Sequence, residues 1–122
     1  MRLRGHRCFH RLHRQGRRHH GAYMVLRVVD ENRMLLRSEL QQSPSISCRC
    51  ALVISGKVSK RSVQRNRLRR LLHDHLRQHL EGRAELTGRW LLFSLRPEAG
   101  QAETTQLLKE CDSLLRSSGL MP

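Results

Sequence analysis

Acidic residues, aromatic residues and long apolar stretches are all scarce in this sequence of 122 residues. Asp and Glu number 10 against 24 Lys and Arg, so the formal net charge is +14 at neutral pH. A protein tolerates self-repulsion of this size when a polyanion offsets it, which makes nucleic acid the leading class of partner. Aromatic residues are only 3% of the chain, and this limits how far it can bind by ring stacking.

Membrane-spanning segments are excluded by the absence of any run near the roughly 18 apolar residues that a bilayer span needs. The N-terminal stretch MRLRGHRCFHRLHRQGRRHH is basic, but it lacks the apolar core and the cleavage site of a secretory signal. We therefore expect a cytoplasmic protein with no membrane partner.

Cysteine occurs four times, at Cys8, Cys48, Cys50 and Cys111, which is few for a disulfide framework. Cys48 and Cys50 fall in one predicted strand, where we expect them to point to opposite faces and not to bridge. The prediction is four reduced, mostly buried thiols.

Catalytic signatures are missing as well. The sequence holds no paired carboxylates, no nucleophile elbow and no phosphate-binding glycine loop. Two of the ten acids, Asp30 and Glu31, fall in a predicted turn, and the other eight are scattered. No catalytic side chain is expected in the protein itself.

The length is that of one ordinary domain, and we expect a single domain over residues 1–122 with residues 1–5 and 117–122 disordered. A basic arm without any Asp or Glu occupies residues 1–29, and a short helix is predicted within it, ending near Gly16.

Hydrophobic spacing predicts the remaining elements. Strands are expected over Tyr23–Val29, Met34–Leu40, Cys48–Ile54 and Arg89–Arg96, the first two as a hairpin, with a helix as the alternative for Met34-Leu35-Leu36 alone. Leucines spaced by three and four predict helices over Ser59–Leu80 and Thr104–Arg116. The order αβββαβα favours an α+β fold, a two-layer sandwich of helices packed on one sheet.

The densest positive charge lies in residues 57–70, KVSKRSVQRNRLRR, where seven of fourteen residues are basic. If the leucines face the core, helix geometry turns Asn66, Arg67 and Arg70 outward and leaves Arg65 and Arg69 at the edge. Guanidinium groups can hold phosphates bidentately. A merely solvated face is the ordinary alternative, but a single acid, Asp74, interrupts this one, so pairing within the helix cannot neutralise it.

This segment resembles the Arg-Asn-Arg signature helix of the bacterial ribonuclease P protein family. Gly5-His6-Arg7 before Phe9, and Arg14-Gln15-Gly16, are similar to the family's first helix, and the strand Leu52–Ser55 leads into the signature as it does there. The resemblance runs from about residue 3 to about residue 115. It implies a left-handed βαβ crossover and a subunit that assists a catalytic RNA in the endonucleolytic removal of the 5′ leader from precursor tRNA.

The resemblance also implies two binding sites. The cleft between the first helix and the sheet would hold the leader through Phe9, His13 and Arg27. Where this chain has His13 the family usually has a second aromatic, so either the histidine stacks there or the grip is weaker. An equal alternative for Phe9 is a core position that anchors the first helix. Eight positions match those that contact the catalytic RNA: Lys57, Lys60, Arg61, Arg65, Asn66, Arg67, Arg69 and Arg70.

Metal binding by the protein alone is not expected. The N-terminal histidines, at positions 6, 10, 13, 19 and 20, do not combine with the cysteines into zinc knuckles. The resemblance implies Mg²⁺ in the holoenzyme, held largely by RNA phosphates. The expected partners are the catalytic ribonuclease P RNA and precursor tRNA.

Two other classes of protein fit the charge and size. A DNA-binding helix-turn-helix needs a short helix just before the recognition helix, but the segment Ala51–Ile54 reads as a strand, which disfavours it. A ribosomal or other structural RNA-binding protein stays open. A cleft for single-stranded RNA beside the arginine helix would distinguish a ribonuclease P protein from a structural RNA-binding protein.

Overall fold

The computed structural model describes residue 3 and residues 6–30, 48–86 and 88–121. In chain order these residues form helix α1 (His6–Gln15), strands β1 (Arg17–His20), β2 (Met24–Asp30) and β3 (Arg49–Val53), helix α2 (Ser62–Leu80), strand β4 (Arg89–Leu95) and helix α3 (Thr104–Ser117). Short 3-10 turns at Ala84–Leu86 and Pro97–Gln101 flank β4. The predicted α+β class is confirmed.

Most predicted elements end close to their predicted bounds, and β1 is the exception. Its sequence, Arg-Arg-His-His, has no apolar residue and gives no strand signal. The predicted strand Met34–Leu40 and its hairpin turn lie outside the described residues. Within the described residues the order is still αβββαβα, with β1 as the first strand.

The four described strands form one sheet in the order β1-β2-β4-β3. Strand β2 pairs antiparallel with both β1 and β4, whereas β3 and β4 run parallel. Parallel neighbours need a crossover, and α2 provides it between β3 and β4. The left hand of this crossover stays a prediction of the family resemblance.

Both faces of the sheet are covered, so the predicted two-layer arrangement is corrected. On one face, Leu26 and Phe93 pack with Leu72 of α2 and Leu115 of α3. On the other face, Trp90 and Leu92 of β4 pack with Cys8 and Leu12 of α1. Strand β4 therefore buries alternate residues on opposite sides, as expected for a continuous apolar run.

Leu3 and Leu120 each contact the core through a buried side chain and a backbone hydrogen bond. Leu3 is 4% exposed, and its backbone N–H donates to the carbonyl of Cys50 at 2.7 Å. Leu120 is also 4% exposed, and its N–H donates to the carbonyl of Leu115 at 2.9 Å. Each leucine buries its side chain in the core, which favours order at these two positions, and the disorder expected over residues 1–5 and 117–122 stays a prediction.

The four cysteines are buried and none forms a disulfide, as predicted. The expectation that Cys48 and Cys50 face opposite ways is wrong: both belong to the cluster beneath α2 and α3. Residues two apart on an extended chain share a face. A hydrogen bond between the Cys48 and Cys50 thiols lowers the pKa of Cys48 and, with burial, raises that of Cys50 well above its ordinary value.

Candidate nucleic-acid interface

The outer side of α2 carries the densest basic surface among the described residues. Leu72, Leu76 and Leu80 are fully buried, which fixes the helix's rotation about its axis. Asn66, Arg67, Arg70 and Arg77 are consequently exposed, as their helical spacing from the leucines predicts. This side of the helix is free to meet a polyanion.

The loop before α2 extends this surface, and Ser59 organises it. The Ser59 hydroxyl donates to Gln64 Oε1 at 2.8 Å and accepts the backbone N–H of Arg61 at 3.3 Å. The Ser59 carbonyl accepts Arg65 Nη1 at 2.8 Å. These contacts bring the loop's exposed cations, Lys57, Lys60 and Arg61, next to the first turn of the helix.

The two arginines at the edge of α2 are partly ordered before any ligand binds. Arg65 and Arg69 are half-buried. Arg69 Nη1 donates to Asn66 Oδ1 at 2.8 Å, which leaves the Asn66 amide hydrogens available for donation. We call the following set the arginine surface: Lys57, Lys60, Arg61, Arg65, Asn66, Arg67, Arg69 and Arg70.

A second basic region lies on the sheet face that α1 covers in part. Phe9 is half-buried and packs against the cluster that contains Leu12 and Trp90. One part of the ring is therefore in the core and the other part is accessible. The position of Phe9 is therefore compatible with both roles proposed from the sequence, which are binding of the leader and anchoring of the first helix in the core.

His13 and Arg27 meet at the edge of α1. Burial lowers the pKa of His13, and the nearby charges of Arg27 and Arg18 lower it further. Burial also lowers the pKa of Arg27, with a further contribution from Arg18. Cations that lie close enough to lower each other's pKa repel one another, so binding of an anion beside them is electrostatically favourable.

Arg27 projects along the sheet towards β4. Its Nη1 donates to Ser94 Oγ at 3.4 Å, and its buried Nε has no hydrogen-bond partner among the described residues. On β1, Arg18 lies directly opposite Arg27 in the strand register. We call the region formed by Phe9, His13, Arg18, Arg27 and Ser94 the sheet cleft.

Three basic residues of this region were not assigned to the leader cleft from the sequence: Arg18, His20 and Arg96. Arg96 Nη2 lies 3.1 Å from His20 Nδ1, which joins the end of β4 to β1. The signal was the alternation within Arg17–His20, which places Arg18 and His20 on one face if the segment is a strand. The absence of apolar residues hid it.

The arginine surface and the sheet cleft are carried by elements on opposite faces of the sheet. Helix α2 packs in one core cluster, whereas α1 packs in the other. In the described part of the chain, no helix combines the length and the apolar character needed to cross a bilayer. Together these features define an α+β protein with two separate basic surfaces.

Comparison with known proteins identifies a family profile and relatives that match this chain over nearly its whole length. The profile of the family described as Ribonuclease P matches residues 1–119. The ribonuclease P protein component of Parasynechococcus marenigrum (strain WH8102) is 72% identical over 120 residues, covering 98% of this chain and 94% of the relative. That of Synechococcus sp. (strain WH7803) is 57% identical over 126 residues, covering 100% of this chain and 95% of the relative.

Solved structures show the same fold at much lower identity. The RNase P protein of Staphylococcus aureus superposes with a TM-score of 0.77 at 15% identity, covering 99% of this chain and 97% of that one. The RNase P protein of Thermotoga maritima, solved with 1-(4-fluorophenyl)-2-thiourea, gives a TM-score of 0.70 at 17% identity, covering 93% and 96%.

The chain belongs to the ribonuclease P protein family. It is the protein component of a bacterial-type endoribonuclease of tRNA 5′ processing in which the RNA subunit is the catalyst. An RNA partner in the holoenzyme follows from this membership. The family resemblance drawn from residues 57–70 is thereby confirmed.

Proposed function

We propose that this protein binds the catalytic RNA through the arginine surface and the 5′ leader of precursor tRNA through the sheet cleft. It thereby assists removal of the leader by the RNA, in the cytoplasm and as a single domain. The observation that carries the proposal is the presence of two basic surfaces on opposite faces of one sheet. One protein can then contact two RNAs at once.

The arginine surface suits a structured RNA. Its exposed guanidinium groups can each hold a phosphate bidentately, and Asn66 can donate to a sugar or a base edge. Arg65 and Arg69 already have partners, so less side-chain freedom is lost when RNA binds. Phosphate contacts of this kind fix position and orientation.

The sheet cleft suits a single strand. The accessible part of the Phe9 ring offers a stacking platform worth about 1–3 kcal/mol per base. Arg18 and Arg27 supply positive charge for the backbone, and a leader phosphate would relieve their mutual repulsion. His13, at the edge of α1, can stack or carry a proton.

The protein's contribution to cleavage is positioning and charge neutralisation. Bond breaking belongs to the RNA, and no catalytic role is proposed for any side chain. Mg²⁺ prefers oxygen ligands. Helix α2 has one carboxylate, Asp74, among its many cations, and Glu81 follows at its C-terminal end, so RNA phosphates are the fitting ligands for this ion.

Reconstitution tests the proposal. The full chain is combined with a bacterial ribonuclease P RNA, and cleavage of precursor tRNA is measured at low Mg²⁺, where the RNA alone neutralises its own phosphates poorly. Restored cleavage is expected. Tight binding of the protein to this RNA without restored cleavage would overturn the proposal and favour a structural RNA-binding protein.

A further inference from the structure

Three metal-binding side chains converge where the second half of α2 meets α3. The Nε2 atom of His75 lies 2.7 Å from Asp112 Oδ1, and the Nε2 atom of His79 lies 3.9 Å from the same oxygen. One donor atom from each of the three residues falls within 4.8 Å of the others. The group is half-buried, with 16%, 36% and 23% of the side chains of His75, His79 and Asp112 exposed.

Core packing places these side chains together. Histidines four residues apart project from the same side of a helix. Their rings lie edge to face, with centroids 4.5 Å apart. Leu76 and Leu80, each next to one histidine, are fully buried, as is Cys111 next to Asp112. The backbones that carry the three donors are therefore held by the core.

The charge balance makes this use of Asp112 unusual. The chain has 24 Lys and Arg for 10 Asp and Glu, so a carboxylate has many cationic partners available. The ion-pair partners of Asp112 among the described residues are nevertheless two histidines. His75 makes a short hydrogen bond, whereas 3.9 Å is too far for one from His79. The hydrogen bond between His75 and Asp112 therefore does not account for the position of the His79 imidazole.

We propose that His75, His79 and Asp112 form a binding site for a divalent transition-metal ion, of which Zn²⁺ is the best fit. Two imidazole nitrogens and a carboxylate oxygen are ordinary zinc ligands, and metal–ligand bonds near 2.0–2.1 Å place tetrahedral donors about 3.3 Å apart. The two imidazole-to-carboxylate separations of 2.7 and 3.9 Å bracket that value, and all three donors lie within 4.8 Å of one another, so rotations of these side chains can bring them to one ion. Water takes the fourth position.

The nitrogen-rich ligand set also separates this site from the Mg²⁺ of the holoenzyme, which prefers oxygen ligands. A bound ion would clip the second half of α2 to α3. The arginine surface occupies the loop and the first half of α2, so it stays accessible while the axis of its helix is fixed. The signal in the sequence is the His-x-x-x-His spacing of residues 75 and 79, which lie far from the N-terminal histidines.

Titration of the purified full chain with Co²⁺, followed by displacement with Zn²⁺, tests the site. We expect one ion per chain, visible absorption typical of tetrahedral Co²⁺, and no thiolate charge-transfer band. His79→Gln and Asp112→Asn should each weaken binding at least tenfold. Asp112→Asn keeps an oxygen that can accept a hydrogen bond from His75. If Asp112 serves only that hydrogen bond, the variant should be as stable as the wild type in the presence of a chelator. Added metal should then change the stability of neither protein.

A matched control comes from the N-terminal region, where the double variant His19→Gln with His20→Gln should bind Co²⁺ as tightly as the wild type. Saturating Zn²⁺ should raise the melting temperature of the wild type and of this control by about 5 °C or more. It should not raise that of His79→Gln. Absence of binding, binding lost in the His19 and His20 variant, or a thiolate band would each overturn the proposal.

Discussion

Glu110, in the middle of α3, accepts a hydrogen bond from the backbone N–H of Tyr23 at 2.8 Å. Its other carboxylate oxygen accepts the N–H of Ala22 at 2.6 Å. Both amides belong to the turn between β1 and β2, the hairpin that carries Arg18 and Arg27. A single carboxylate thus fastens the edge of the sheet cleft to a helix on the opposite face.

Removing this carboxylate should destabilise the fold. We expect Glu110→Ala to lower the free energy of unfolding by about 1–3 kcal/mol, since two backbone donors lose a charged acceptor. Urea unfolding followed by circular dichroism measures it, with exposed Lys109→Ala as the control. Gly21→Ala should also destabilise, because its Cβ would lie 2.5 Å from Glu110 Cδ. Unchanged urea midpoints for both variants would show that the hydrogen bonds to Glu110 do not stabilise the fold.

Binding to the catalytic RNA should depend on Arg67 and Arg70. The double variant Arg67→Ala with Arg70→Ala should weaken binding about ten- to hundredfold at moderate salt and reduce the salt slope by roughly two units. Its fold should survive, because both side chains are exposed. Arg116→Ala, an exposed arginine on α3, should lose much less. Equal losses, or unchanged affinity across the salt series, would contradict the assignment.

Two substitutions separate the stacking and packing roles of Phe9. Phe9→Leu keeps an apolar side chain against the α1 cluster but removes the ring. If the ring stacks on the leader, this variant should lose about 1–3 kcal/mol of the preference for precursor over mature tRNA while binding the catalytic RNA normally. If the ring only packs, Phe9→Leu should keep that preference, and Phe9→Ala should lower stability.

Leader binding should strengthen as the pH falls. Burial and the charges of Arg27 and Arg18 lower the pKa of His13 in the unbound protein. A leader phosphate raises that pKa, so binding takes up a proton, and affinity should rise between about pH 7.5 and about pH 6. His13→Gln should flatten this dependence, and exposed His10→Gln should not. A wild-type affinity for the leader independent of pH would contradict it.

The native thiols should react slowly. Burial, followed by the charges of Asp112 and Glu110, raises the pKa of Cys111 to about 12, and all four cysteines are buried. A thiol reagent should therefore titrate four groups quickly in denaturant and almost none in the folded protein. A rapidly reacting thiol in the native state would show that part of this core opens readily.

Local patterns were enough to predict the helices and which arginines of α2 face solvent, whereas Lys57, Lys60 and Arg61 of the arginine surface were assigned only through the family resemblance. Leucines three and four residues apart identify the buried side of α2, and helix geometry then fixes which arginines face solvent. The apolar run of β4 likewise predicts a buried strand. These inferences need only the spacing of residues within one element.

Long-range pairing limited the rest. Strand β1 exists because β2 pairs with it, and nothing within Arg17–His20 announces that partner. The sheet cleft depends on β2 and β4 being neighbours, which sets Arg27 beside Ser94 across 67 residues. The contact between His75 and Asp112 spans 37 residues. Such contacts depend on the topology rather than on any local period.

The most direct test of the two-surface account is directed hydroxyl-radical cleavage in the reconstituted complex with precursor tRNA. Because the native cysteines are buried, an iron chelate can be attached selectively at Val63→Cys, which is 75% exposed on α2, or at exposed Arg14→Cys on α1. We expect the Val63 probe to cut the catalytic RNA and the Arg14 probe to cut the leader. Leader cleavage from Val63, or an uncut leader with the Arg14 probe, would contradict it.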